Sequence, residues 1–142
     1  MDYSKLAEEF LQNTYRLSRH SMYKKINESM HGEIFALQYI ASQKGAVQPS
    51  EISNMTHVSS ARIAATLNSL ESKGLITRRI DTIDRRRILV ELTPNGKEEA
   101  KKHFNIILKK VSEVISELGE YDATEYVRII GRLSDISAKF QE

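Results

Sequence analysis

The chain has 142 residues, of which 40% are hydrophobic and 28% charged, a composition typical of a globular protein with a single core. No apolar run is long enough to span a bilayer, and the absence of cysteine excludes disulfides, thiolate metal sites and thiol-based redox sensing. The N-terminus has acidic residues where a signal peptide needs a basic start and an apolar run, so we expect a cytoplasmic protein without membrane contact.

The charge of the chain is distributed unevenly. The segment from Arg62 to Arg87 contains seven basic and three acidic residues, which is a local charge of +4. Because the whole chain carries +2, the remainder carries −2. A basic segment in an otherwise slightly acidic chain indicates a local contact with a polyanion, and an ordinary solvated loop is the alternative interpretation.

The first third of the chain is predicted to be mainly helical. Apolar residues at spacings of three and four predict an amphipathic helix from about Tyr3 to about Arg19. The segment between this helix and Gly32 mixes polar, basic and Met residues, and we interpret it as a loop or a ragged helix end. A core helix is predicted from Gly32 to about Lys44, where Gly45 ends it.

The next two predicted helices form a helix-turn-helix pattern. Pro49 fits the first position of a short helix, and a brief turn is expected at Thr56 and His57. Ser59 is a suitable N-cap for the following helix, from Ser60 to Lys73. Two helices joined by such a turn are typical of DNA-binding proteins, and helical bundles also contain them.

The second of these helices has two different faces. Ile63, Leu67 and Leu70 share the core face, whereas the opposite face carries alanines and short polar side chains that let a helix enter a groove. A plain exposed alanine-rich face is the alternative. The DNA contacts predicted on this helix are Ser59, Ser60, Ala61, Arg62, Ala65, Thr66, Asn68 and Ser69.

A β-hairpin is predicted after Gly74. The runs LITRRID and RRILVEL read as strands, and DTIDRR between them reads as the turn. A basic hairpin directly after a helix-turn-helix is a wing, whose arginines reach phosphates or the minor groove. We expect Asp84 to pair with a nearby arginine and orient it. The predicted wing contacts are Arg78, Arg79, Asp84, Arg85, Arg86 and Arg87.

Two further helices complete the chain. Thr93 and Pro94 begin a long helix with an apolar stripe, and Gly119 ends it. Asp122 and Glu125 resemble a capping box for a final amphipathic helix. These helices and the first one offer more apolar surface than a small winged domain can cover, so we predict a homodimer, with an intramolecular bundle in a monomer as the alternative.

The order of these elements and the sequence LNSLESKGLITRRIDTIDRRRILVELTPNGKE resemble the MarR family of winged-helix regulators. The matching residues are Leu70, Gly74-Leu75, Arg78 or Arg79, the turn from Asp81 to Arg86, and Leu92-Thr93-Pro94-Asn95-Gly96. The resemblance implies a mainly α fold with a small β-hairpin wing: a winged helix-turn-helix at residues 31–94, flanked by dimerisation helices at 1–30 and 95–142, all in one folding unit.

In function, the resemblance implies a homodimer that binds double-stranded DNA at a pseudo-palindromic operator. The recognition helix enters the major groove, Arg86 enters the minor groove, and Asp84 holds the hairpin. The chain departs from the family at Thr82, where proline is common, and at Ala64 and Ala65, where others often have Thr and Arg, so base preference is not transferable.

Many members of the MarR family also bind small anionic aromatic compounds between the dimer helices and the winged domain. The residues expected near that junction are Tyr15, Arg16, His20, His31 and Phe35. For the histidines the alternative is a solvated loop position, and for Tyr15 and Phe35 it is a place in the core.

We therefore predict a dimeric, sequence-specific transcriptional regulator, a repressor of nearby genes that a small ligand releases. The alternative is a winged-helix module that binds an acidic protein partner. Catalysis is not expected, because the four histidines form no HExxH motif and no glycine-rich phosphate loop is present. We expect no cofactor and no metal; a sensor site with His57 or His103 and a nearby Glu is the one metal alternative.

Overall fold

The structure is a computed structural model that describes residues 1–56 and 58–140. It contains helices α1 (Tyr3–Ser18), α2 (Ser21–Ser29), α3 (Gly32–Ser42), α4 (Pro49–Thr56) and α5 (Ser60–Ser72), strands β1 (Ile76–Ile80) and β2 (Ile88–Leu92), helices α6 (Pro94–Ser116) and α7 (Gly119–Ser137), and a final 3₁₀ turn (Ala138–Phe140). The predicted class, mainly helical with one β-hairpin, is confirmed. Within the described residues every helix is too short or too polar to cross a bilayer.

The chain divides into two compact units, Met1–Ile107 and Leu108–Glu142. The first unit contains α1 to α5, the hairpin and most of α6. The second contains the end of α6 and the whole of α7. The predicted boundaries at residues 30 and 94 stay a prediction.

The core of the first unit joins α3, α4 and α5 to the hairpin and the start of α6. Burial of one large aliphatic side chain contributes about 1.5–3 kcal/mol, so this cluster is the main source of stability for the helix-turn-helix. Its largest fully buried side chains are Val47, Ile52, Leu67, Leu70, Ile76 and Val90.

Helix α5, the second helix of the helix-turn-helix, is defined at both ends by local hydrogen bonds. Ser59 is its N-cap, and the Ser59 hydroxyl accepts a hydrogen bond from the Arg62 backbone N–H at 3.3 Å. At the other end Gly74 has φ +72°, and the backbone N–H groups of Gly74 and Leu75 donate to Glu71 and Leu70 carbonyls. This is the Schellman arrangement, which needs the left-handed conformation that glycine adopts easily. The predicted turn includes His57, which lies outside the described residues.

The hairpin pairs β1 and β2 antiparallel, with Arg78 opposite Val90. A further pair of backbone hydrogen bonds joins Val47, just before α4, to Val90 at 3.0 and 2.8 Å. This bridge, which no sequence pattern indicates, ties the wing to the segment between α3 and α4.

Two sequence-based expectations are wrong in detail. The segment expected as a loop or ragged helix end contains α2, a nine-residue helix that buries Met22. Asp122 and Glu125 do not form a capping box, because α7 already begins at Gly119, whose φ is +77°, and Asp122 lies in its first turn. The predicted end of α6 near Gly119 is close to the observed end at Ser116.

Candidate nucleic-acid interface

The outer face of α5 is an exposed stripe of small residues that contains one amide side chain. Ala61, Ala65, Asn68 and Ser72 follow one another at helical spacings of three and four, and all four are exposed. Ile63, Leu67 and Leu70, on the opposite face, are buried as predicted. In this stripe Asn68 therefore has the largest set of hydrogen-bonding groups.

Two of the predicted contact residues on α5 are already engaged within the protein. The Thr66 hydroxyl donates to the Arg62 carbonyl at 3.0 Å. Ser69 is half-buried, and its hydrogen bond to the Glu33 carboxylate helps to lower the pKa of Glu33, after the larger contribution of Lys73. The outward hydrogen-bonding groups are thus fewer than the sequence suggested.

Arg78 on β1 forms an ion pair with the last turn of α5. Its Nε lies 3.0 Å from Glu71 Oε2, and its Nη2 lies 3.1 Å from Glu71 Oε1, a bidentate geometry. The same Nη2 donates to Asn68 Oδ1 at 2.8 Å. Arg78, predicted as a DNA contact, therefore connects the wing to the recognition helix.

The Glu71–Arg78 pair shifts the pKa of both partners. The hydrogen bond from Arg78 lowers the pKa of Glu71, and the bond to Glu71 raises the pKa of Arg78. Both groups keep their charges over the physiological range. Glu71 is not among the predicted site residues; its only signal in the sequence is an opposite charge seven residues before Arg78, at the end of the helix.

Arg79 is also paired, on the other face of the hairpin. Its Nη2 lies 2.9 Å from Glu91 Oε1 on β2. This pair is exposed and contributes only about 0–1 kcal/mol, so Arg79 can exchange Glu91 for a phosphate at little cost.

The wing loop is held by two aspartates. Asp81 Oδ1 accepts from the Ile83 N–H at 3.0 Å, and Asp84 Oδ1 accepts from the Arg86 N–H at 3.1 Å. Asp84 also binds the guanidinium groups of Arg86 and Arg87 at 3.1 and 3.4 Å. The expected pairing of Asp84 with a nearby arginine is confirmed, and the hydrogen bond from Arg86 lowers the pKa of Asp84.

The arginines of the basic segment differ in exposure and in whether they make ion pairs. In the described part of the chain, Arg62 on α5 and Arg85 on the wing have exposed side chains and make no ion pair. Arg86 extends into solvent with 91% of its side chain exposed while Asp84 holds its Nε side. Arg62, Arg85 and Arg86 are therefore best placed to meet an external anion.

A cavity of about 660 Å³ lies in the first unit, away from the recognition helix, between the end of α3, β2 and the start of α6. Its wall includes Lys44, Lys97 and Lys101 beside Phe104. The five residues predicted to bind a ligand are placed elsewhere: Tyr15 and Arg16 on α1, His20 and His31 at the N-caps of α2 and α3, and Phe35 stacked on Tyr39.

The histidines show no metal-binding arrangement in the part of the chain that the structure describes. His103 Nε2 lies 3.4 Å from Glu99 Oε2 one turn away on α6, and His31 Nδ1 lies 2.8 Å from the Asn27 carbonyl. No group of three His, Cys, Asp or Glu side chains comes together among residues 1–56 and 58–140.

Comparison with known protein families assigns this region. Residues 33–111, more than half of the chain, match the family described as winged helix DNA-binding domain. The chain is similar to the HTH-type transcriptional repressor YetL of Bacillus subtilis, with 27% identity over 96 residues, which cover 68% of this chain and 58% of YetL. The chain thus spans less than two thirds of the length of this relative. The family consists of DNA-binding domains, in agreement with the expectation that the chain is not an enzyme.

Two solved structures share the fold. One is Streptococcus pneumoniae FabT in complex with DNA, with a TM-score of 0.72, 20% identity and coverage of 99% of this chain and 100% of FabT. The other is a MarR transcriptional regulator from Methanosarcina mazei Go1, with a TM-score of 0.71, 18% identity and coverage of 96% and 99%. The chain belongs to the winged helix DNA-binding domain family, and its fold is that of the MarR regulators.

Proposed function

We propose that this chain is a homodimeric transcriptional repressor that binds a specific operator sequence in the cytoplasm. The observation that carries the proposal is the exposed α5 stripe, which Arg78 joins to β1, together with the wing loop that follows β1 and presents Arg85 and Arg86. The relative YetL, named as a transcriptional repressor, and the DNA complex of FabT support it.

Each surface has a distinct part in the proposed complex. The small side chains Ala61 and Ala65 allow the backbone of α5 to approach the base edges in the major groove. Arg86 enters the adjacent minor groove, whose negative potential attracts a guanidinium, while Asp84 limits the directions that it can take. Arg62 and Arg85 neutralise phosphates.

The proposed dimer interface consists of α1, α6 and α7. No residue of α1 or α7 is buried within the single chain. The exposed apolar side chains of α7 lie at helical spacings and include Val127, Ile129, Ile130, Leu133 and Ile136. A monomer seldom leaves so much apolar surface in contact with water, and a second copy of the chain covers it by two-fold symmetry. Two recognition helices then reach half-sites about 34 Å apart.

We further propose that a small anionic compound releases the protein from DNA. The cavity supports this, because its lining combines three lysines, Lys44, Lys97 and Lys101, with apolar residues that include Phe104. Glu91 also lines the cavity and forms an ion pair with Arg79. A ligand in the cavity therefore acts on the wing through this ion pair. Release of a bound duplex by benzoate in wild type but not in Lys101→Ala tests this part.

Salt dependence of duplex binding tests the DNA-binding proposal. A wild-type operator is first selected from a random duplex pool, and its affinity is then measured by fluorescence anisotropy between 50 and about 300 mM salt for Arg86→Ala and for Lys24→Ala. Arg86→Ala removes two contacts per dimer, so the slope of log affinity against log salt is expected to become shallower by about 1.8. Lys24→Ala removes an exposed charge of α2 and is expected to match wild type. An unchanged slope for Arg86→Ala would contradict the assignment of the wing.

A protein-contact module is the second candidate, and one observation favours it. Ile83 at the tip of the wing is 95% exposed, and Ile80 and Ile88, the strand residues next to the loop, are also exposed. Apolar side chains among arginines suit an acidic protein partner. If the chain selects no sequence from the random pool and binds all duplexes equally at physiological salt, this candidate is preferred.

A further inference from the structure

We propose that Arg78 turns the Asn68 side chain into a donor-only reading group, and that Asn68 thereby recognises one guanine in each operator half-site. The inference rests on the proposed function, because it assumes that α5 lies in the major groove. The Asn68 amide makes the base contact, and Arg78 of the wing sets the orientation of that amide.

The orientation of the Asn68 amide follows from the chemistry of its neighbour. Arg78 Nη2 lies 2.8 Å from the amide, and a guanidinium has only donors, so the amide atom that faces it is the acceptor Oδ1. The Nδ2 group then points to the other side. Within the described residues no protein group accepts a hydrogen bond from Nδ2, which leaves two N–H donors for an external partner.

Arg78 itself is held in place by Glu71. The bidentate pair at 3.0 and 3.1 Å fixes the plane of the guanidinium, and the Arg78 side chain is only 28% exposed. Asn68 and Glu71 are three residues apart on α5, so one guanidinium reaches both. The amide cannot rotate freely without losing a hydrogen bond to a charged group, which is stronger than one between neutral groups.

The donor-only amide selects among the bases. Asparagine usually recognises adenine with both amide groups, Oδ1 accepting from N6 and Nδ2 donating to N7. With Oδ1 held by Arg78, that pairing is disfavoured. Guanine offers two acceptors, N7 and O6, to the two N–H donors, whereas thymine offers one, O4, beside its methyl group, and cytosine presents only a donor in the major groove. Guanine is therefore the expected base opposite Asn68.

The neighbouring residues make Asn68 the main reader on this stripe. Ala61 and Ala65 precede it on the same face of the helix and have no polar side-chain atoms. Ser72, one turn later, donates its hydroxyl to the Asn68 carbonyl at 3.0 Å and so is occupied. Loss of Asn68 is consequently expected to affect one base position rather than several.

The test compares operators selected from a random duplex pool by four proteins. Asn68→Ala is expected to lose the preference for guanine at one position of each half-site and to bind the wild-type operator roughly tenfold more weakly. Arg78→Gln frees the amide and is expected to accept adenine as well as guanine at that same position. Arg79→Gln is the matched control: it removes one positive charge from the same strand and is expected to weaken binding without any change in base preference.

Each outcome has a defined meaning. An Asn68→Ala motif identical to that of wild type overturns the inference, as does a wild-type preference for adenine, thymine or cytosine at the position that Asn68→Ala affects. An Arg78→Gln protein that binds more weakly with an unchanged motif shows that Arg78 is only structural. If Arg78→Gln does not fold, Arg78→Lys replaces it, since lysine cannot form the bidentate pair and reach Asn68 together. If wild type selects no sequence, the proposed function itself fails, which is a different result.

Discussion

Gly96 lies so close to Leu75 that a Cβ atom added to Gly96 would stand 1.9 Å from the Leu75 carbonyl oxygen. No side chain fits at that distance without movement of the backbone. The contact brings the first turn of α6 against the chain segment that joins α5 to β1. It gives a physical reason for the glycine in the sequence Leu92-Thr93-Pro94-Asn95-Gly96.

Gly96→Ala is expected to destabilise the winged domain by about 3 kcal/mol or more, since the atom that it meets is backbone rather than a flexible side chain. Gly45→Ala is the control, because nothing lies within 4 Å of its Cβ position and its φ is not positive. Thermal and urea unfolding followed by circular dichroism measure the difference. Equal midpoints for the two variants would show that α6 can shift away from Leu75.

Thr93 joins three elements through its side chain and backbone. The Thr93 hydroxyl donates to the Gly74 carbonyl at 2.6 Å and accepts from the Gly96 N–H at 3.0 Å, and the Thr93 N–H donates to Leu75. Thr93→Ala is expected to lower the free energy of unfolding by about 0.5–2 kcal/mol, as for other N-cap losses. Thr93→Ser keeps the hydroxyl and is expected to retain most of the stability in the same unfolding experiment. A serine variant as unstable as the alanine variant would assign the effect to the lost methyl group instead.

These contacts mark the limit of what the sequence predicts. The bounds of α5, β1 and β2 follow from local signals: Ser59 as a cap, Gly74 as a stop and alternating apolar residues. The pairing of Val47 with Val90 left no signal, because a single bridge needs no periodic pattern. Helix α2 was missed since its buried face consists mainly of Met22, too little for a clear periodicity.

The candidate interface was predicted in outline and differs in the roles of its residues. The turn residues between two strand-like runs predicted arginines on a wing, and the helical period predicted that Asn68 lies on the outer face of α5. Whether an arginine makes an ion pair depends on its distance from carboxylates on other elements. Such distances do not follow from spacing along the chain. Arg78 and Arg85 are both predicted as wing contacts. Of these two, only Arg78 forms an ion pair, with the carboxylate of Glu71.

The pH dependence of the wing is expected to follow Asp84. Its pKa is lowered first by the hydrogen bond from the Arg86 side chain, then by the Arg86 backbone N–H and by the charge of Arg87. Because the pKa in the folded state is depressed, the stabilisation is complete above the ordinary pKa of an aspartate and is lost as the pH falls through the depressed value.

A carbon-detected NMR titration of the Asp84 carboxyl group measures this shift. Arg86→Ala is expected to raise the pKa of Asp84 toward its ordinary value, and the backbone hydrogen bond and Arg87 preserve part of the depression. Arg85→Ala is the matched control, since Arg85 makes no ion pair in the described part of the chain, and it is expected to leave the pKa unchanged. A rise of the same size in both variants would mean that the general positive charge of the loop, and not the Arg86 contact, lowers the pKa.

The exposed apolar side chains of α7 provide a test of the proposed dimer. Leu133 lies among them with 46% of its surface exposed, and the exposed Thr124 points to the opposite side of the helix, about 180° away. If a second copy covers this face, Leu133→Glu removes the burial of two leucines per dimer, about 3–6 kcal/mol, and raises the dimer dissociation constant by roughly 10²- to 10⁴-fold. Thr124→Glu adds the same charge outside the stripe and is expected to leave the dimer intact. Sedimentation equilibrium over a range of protein concentrations distinguishes the variants, and a Leu133→Glu protein that associates as wild type does would place the dimer interface elsewhere.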